Sequence, residues 1–102
     1  VVLVALLAAA GLAHAQQPPA VAGIRPSCVQ VTFQARYSGY AYNHLVTVHN
    51  TCTSAATCTV STDVNPAPTT VTVAKDATET VTTFVGSPAR TFAPTVACTL
   101  AH

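Results

Sequence analysis

Chemistry in this 102-residue chain would have to come from very few side chains. Its three carboxylates are Asp63, Asp76 and Glu79, and its histidines beyond the N-terminal segment are His44, His49 and His102. A glycosidase needs two carboxyl groups facing one bond, and strands of alternating direction would put Asp63 at the opposite end from Asp76 and Glu79. A nucleophile, histidine and acid set could be drawn only from Ser38, His44 and Asp63, and no nucleophile elbow surrounds Ser38. His44 and His49 are an odd number of residues apart on one strand, so they point to opposite faces and cannot chelate one ion together. The chain has no methionine, which removes the thioether ligands of an exported copper(I) carrier. No catalytic residue, metal or cofactor is indicated, and the expectation is a non-catalytic protein.

Binding is the better prospect, and one stretch concentrates it. "YSGYAYNH", residues 37 to 44, contains all three tyrosines of the chain. Tyrosine offers a large amphipathic area at low entropic cost, and binding surfaces are enriched in it. Tyr37, Tyr40, Tyr42 and His44 therefore form the candidate ligand-binding set, joined by Arg90 from a loop expected at the same end. In the competing reading the tyrosines cover the open end of the fold and hydrogen-bond loop carbonyls, and the histidines are strand residues satisfied by a neighbour or by water. Gly39 is expected to supply a turn residue with positive φ.

The elements that must position these residues are strands. "CVQVTFQAR" alternates Val29, Val31, Phe33 and Ala35 with Gln30, Thr32, Gln34 and Arg36, the period of a half-buried strand. "HLVTVHN" (44 to 50) follows with Val46 and Val48 inward, and "CTVSTDV" (58 to 64) with Cys58, Val60, Thr62 and Val64 inward. "TTVTVA" (69 to 74) turns in Val71 and Val73. In "ETVTTFV" (79 to 85) Val81 and Val85 compete with Phe84 for the core. "TFAPTVACTL" (91 to 100) buries Phe92, Val96, Cys98 and Leu100, and Pro94 suggests a sheet edge because it cannot donate a ladder hydrogen bond. Turn residues separate the strands at Ser38-Gly39, at 65 to 68, at Lys75-Asp76 and at Gly86-Ser87-Pro88. The fold class is all-β: a small antiparallel six-stranded sandwich of immunoglobulin-like type, first, second and fifth strands facing fourth, third and sixth. A partly open barrel is the alternative.

Residues 1 to 15 run without a charge and close on Ala13-His14-Ala15, which reads as a signal peptide lacking its first residues, with the mature chain starting at about Gln16. Residues 16 to 26 read as a polar, proline-rich spacer, and 27 to 102 as the β-sandwich domain. Cys28, Cys52, Cys58 and Cys98 are an even set in a small exported chain, which predicts two disulfides and an oxidising compartment, secreted or periplasmic. Chain entropy does not choose the pairing, at roughly 7.4 kcal/mol for Cys28–Cys52 with Cys58–Cys98 against roughly 6.8 for Cys52–Cys58 with Cys28–Cys98. Adjacency of strands in the proposed sheets favours the first. Face alternation puts Cys28 outward and the other three inward.

A formal net charge of +1, from scattered Arg25, Arg36, Lys75 and Arg90, leaves no basic stripe for nucleic acid. No stable membrane anchor is expected after signal cleavage. The succession "VTVHNTC", "TCTVSTDVNP", "TVTVAKDATETV" and "TVACTL" resembles small exported bacterial proteins of unknown function with β-sandwich character, which implies export and a sandwich fold and assigns no site residue. The expected function is an exported, non-catalytic interaction module whose loops contact a protein or a glycan. The alternative is a structural domain of an envelope or extracellular assembly, with threonine- and valine-rich edges suited to strand addition.

Overall fold

The computed structural model describes residues 20 to 102; the signal peptide reading and the first part of the spacer lie outside the described residues. Six strands follow one another: β1 (Val29–Tyr37), β2 (Tyr42–Asn50), β3 (Ala56–Thr62), β4 (Thr69–Val73), β5 (Thr78–Ser87) and β6 (Pro94–Leu100). They form two antiparallel three-stranded sheets, ordered β1-β2-β5 and β4-β3-β6, which is the arrangement that the alternating pattern predicts. The strands form where Val and Thr alternate because β-branched side chains suit a pleated, half-buried surface. Val46, Val48, Val60, Val73 and Val96 meet between the sheets, with Phe92 closing one end. Outward, the β4-β3-β6 sheet presents Thr57, Thr59, Thr70, Thr72, Thr95 and Thr99.

β5 departs from its sequence pattern. Of the three competitors only Val81 packs against the core: Val85 is 70% exposed, Phe84 is at the surface, and Thr83 is buried instead. The cause lies in the pairing with β2, where Leu45 opposes Thr82 but His44 opposes Phe84, and a second shift precedes Tyr42 opposite Ser87. Each shift adds a residue to β5 and rotates the side chains beyond it. The Thr83 hydroxyl donates to the His44 carbonyl at 3.3 Å, which satisfies the buried oxygen.

Both disulfides pair as strand adjacency favours, Cys28 with Cys52 and Cys58 with Cys98. Cys58 and Cys98 are register partners on β3 and β6. Cys28 lies in the turn before β1, where face alternation no longer holds its side chain outward. Two disulfides fit an oxidising compartment.

Part of the stretch read as spacer belongs to the sandwich. Ala22 forms a parallel bridge with Thr95 at the free edge of β6, and the Cys98 amide donates to the Ile24 carbonyl. Gly23 makes this approach possible, since its φ is +104° and a Cβ there would collide with the Val96 carbonyl. The Arg25 guanidinium folds back onto the carbonyls of Val21, Ala22, Gly23 and Val96 at 3.3 Å. Pro94 stands at the start of edge strand β6, where its missing N–H costs nothing.

Candidate functional site

Alternating strand directions bring the β1–β2, β3–β4 and β5–β6 loops to one end, and specific hydrogen bonds tie them together. At the base of the first loop Tyr37 and Tyr42 are register partners, with rings edge to face at 5.2 Å. The Tyr37 hydroxyl donates to the Gly39 carbonyl at 2.7 Å, and the Ser38 amide donates to the Ala41 carbonyl at 2.8 Å. Gly39 has the positive φ that its place in the turn implies, +85°. The loop is thereby braced at its base. Tyr40, at its tip, is 87% exposed.

The second loop is fastened from both sides. Thr62 accepts the Val64 and Asn65 amides through its hydroxyl, and Asn65 Nδ2 donates to the Thr83 carbonyl of β5 at 2.6 Å. Asp63 receives the Ala93 amide on Oδ1 at 2.8 Å and returns its own amide to the Ala93 carbonyl. Asp63 is therefore a clamp between the β3 and β6 ends. The Gly86 amide donates to Asn43 Oδ1 at 3.1 Å, which holds the last residues of β5, before the third loop, against β2.

His44 takes a different place from the one its candidacy as a ligand-binding residue requires. It is fully buried, its ring stacked on Phe92 with centroids 4.2 Å apart, and Nε2 bonds the Ala89 carbonyl at 2.7 Å. The carbonyl can only accept, so Nε2 is the donor; Nδ1 is buried and has no protein partner. The residue holds the β5–β6 loop, and through it Arg90, to the start of β2. His44→Ala removes the stack and the loop bond together, and should lower stability by about 2–4 kcal/mol, read as a shift in the urea midpoint. His49, on the opposite face, bonds the Thr78 hydroxyl through Nδ1 at 2.7 Å.

Neither nitrogen of His44 engages Ser38 or Asp63, so these three residues do not assemble as a nucleophile, base and acid. Of the candidate set, Tyr37, Tyr40 and Arg90 are exposed, Tyr42 is half-buried and His44 is inaccessible. Two residues outside the candidate set belong to the organisation of this end: Asn43, which bonds β2 to the last residues of β5, and Asn65, which bonds the β3–β4 loop to β5. A separate depression of about 290 Å³ lies on the outer face of the β1-β2-β5 sheet, lined by residues that include Gln34, Arg36, Leu45 and Thr80. Neither a family model, nor a curated protein, nor a solved structure matches this chain.

Proposed function

We propose that the protein is an exported, non-catalytic interaction module of immunoglobulin-like type, and that its tyrosine loop is a recognition tip. The observation that carries this reading is the contrast within the loop. Tyr37 and Tyr42 brace each other, whereas Tyr40 is held out on the braced turn and covers nothing. A tyrosine that capped the sandwich would lose most of its exposure. An aromatic presented on a rigid loop loses little conformational entropy on binding. The two disulfides support export, and the strand order supports the immunoglobulin-like assignment, although both disulfides here lie within a sheet rather than across the two.

Tyr40→Ala is the test. It should weaken binding of the natural partner by about 1–2 kcal/mol while changing unfolding stability by less than about 0.5 kcal/mol. The measurement compares residues 16 to 102, with and without the substitution, for what each retains from the native envelope or medium, and follows urea unfolding of both. Equal retention by the two proteins would refute the recognition tip, and so would a large loss of stability with affinity intact.

A further inference from the structure

The four sheet edges of this sandwich are not equally protected. β6 is covered by Ala22 to Ile24. β5 carries two register shifts and Glu79, and bulges and charges are common guards of an edge. β4 is only five residues long. β1 is nine residues long, pairs with β2 without a shift, and carries one charge, Arg36.

Backbone pairing fixes which β1 groups are free. The Thr51 amide donates to the Cys28 carbonyl, and the Ser38 amide to the Ala41 carbonyl. In an antiparallel ladder every second residue exchanges both bonds with its partner and the residues between point both groups away. Residues 28, 30, 32, 34, 36 and 38 therefore face β2, and Val31, Phe33 and Ala35 direct N–H and C=O to the outer edge. The same three residues turn their side chains inward, yet they are only half-buried, whereas Val46 and Val48 beside them are fully buried. Among the described residues, the inner row of β1 has no neighbour on its outer side.

We infer that the outer edge of β1 is a strand-addition site for a single extended peptide segment of a partner protein. β1 packs over β6, and beyond it the segment Ala22 to Ile24 lies along the outer edge of β6, joined to that region by one isolated bridge and three backbone hydrogen bonds. The space next to β1 thus lies above this segment, which is one chain wide. This geometry disfavours a second copy of the chain, because pairing β1 with β1 would drive the two segments into one another. The chemistry of the edge describes the peptide: backbone groups for the ladder, apolar side chains at alternate positions beside Val31, Phe33 and Ala35, and small polar ones beside Gln30, Thr32 and Gln34. Arg36, whose guanidinium meets the Gln34 side-chain amide at 2.9 and 3.1 Å with that amide assigned oxygen-inward to accept, selects an acidic residue on the outer face.

The test titrates the isotope-labelled mature protein with a short synthetic peptide of alternating valine and threonine bearing one glutamate, and follows backbone amides by NMR. The amides of Val31, Phe33 and Ala35 should exchange fast with solvent in the free protein, and should shift and become protected as the peptide binds. Ala35→Pro removes one outward N–H at a position where an edge strand tolerates proline, and should weaken the peptide about tenfold, the loss of one ladder bond. Arg36→Glu should reverse the preference toward a lysine-bearing peptide, and decides the matter if Ala35→Pro fails to fold. Protection of these three amides in the free protein, shifts confined to the Tyr40 loop, no binding, an unchanged affinity in a folded Ala35→Pro protein, or a β1-paired dimer in sedimentation would each overturn the inference.

Discussion

Reduction of both disulfides should unfold this protein under conditions in which the oxidised form is native. Cys28–Cys52 and Cys58–Cys98 span 24 and 40 residues of sequence, and closing loops of that size in the unfolded chain is worth about 3.5 and 3.9 kcal/mol. The total of about 7 kcal/mol is comparable with the whole stability of an ordinary small domain. The core has little in reserve: it is built from valines with one buried phenylalanine, and its half-buried rim includes Val31, Phe33 and Leu100. The bonds also act at one end, where Cys28–Cys52 ties β1 to the end of β2 and Cys58–Cys98 staples β3 to β6. Far-UV circular dichroism in urea, with thiol titration to confirm complete reduction, measures the effect. Removing Cys58–Cys98 by a double Cys→Ala change should cost more than removing Cys28–Cys52, because Cys58 is fully buried and its loss also opens a cavity. An unchanged midpoint after full reduction would contradict the entropic account.

The success of the sequence reading in β1 and its failure in β5 have one origin. Along β1 every second residue from Val29 to Ala35 is apolar and the pairing with β2 is unbroken, so face follows from parity alone. Along β5 the run Val81-Thr82-Thr83-Phe84-Val85 does not alternate, and the shifts are set by the fit to β2 around His44, a long-range constraint that no local period encodes. The attachment of Ala22 to Ile24 was equally silent. It rests on backbone bonds and on a glycine whose small size is needed by Val96, and neither leaves a hydrophobic pattern.

At the candidate site the exposed tip was legible and the buried support was not. Tyr40 stands beside Gly39 in a turn signal, and the structure puts it at a loop tip. His44 is polar and adjacent to the tyrosines, which invites grouping it with them, yet it shares the inward phase of Val46 and Val48. That phase was the available signal. A buried imidazole is admissible because Phe92 stacks on it and the Ala89 carbonyl bonds it, two partners more than forty residues away in the chain. Asn50 continues the same phase at the other end of β2 and was not singled out by any motif.

Asn50 is accordingly the position where one atom should matter most. It is fully buried. Its Nδ2 donates to the Ser54 and Val73 carbonyls, both at 2.9 Å, and its Oδ1 accepts the Cys52 amide at 2.8 Å. Its backbone amide donates to the Ala77 carbonyl, and its carbonyl accepts the Asp76 amide. One residue thus joins β2, the β2–β3 loop, β4 and the β4–β5 turn. Asn50→Asp keeps the shape and the acceptor but replaces both donors with an oxygen facing two carbonyl oxygens. An uncompensated buried charge of this kind should cost about 3–5 kcal/mol, more than Thr47→Ala at the exposed Thr47–Thr80 hydroxyl pair. The pH dependence identifies the cause. The introduced carboxyl binds its proton more tightly folded than unfolded, because burial and the two carbonyls disfavour the charge. The unfolded state then holds fewer protons, so stability falls as pH rises and returns in part as the group is protonated and donates to one carbonyl. The gap in urea midpoint between the variant and the parent should narrow on acidification. A gap that stays constant with pH would assign the loss to packing rather than to the two missing donors.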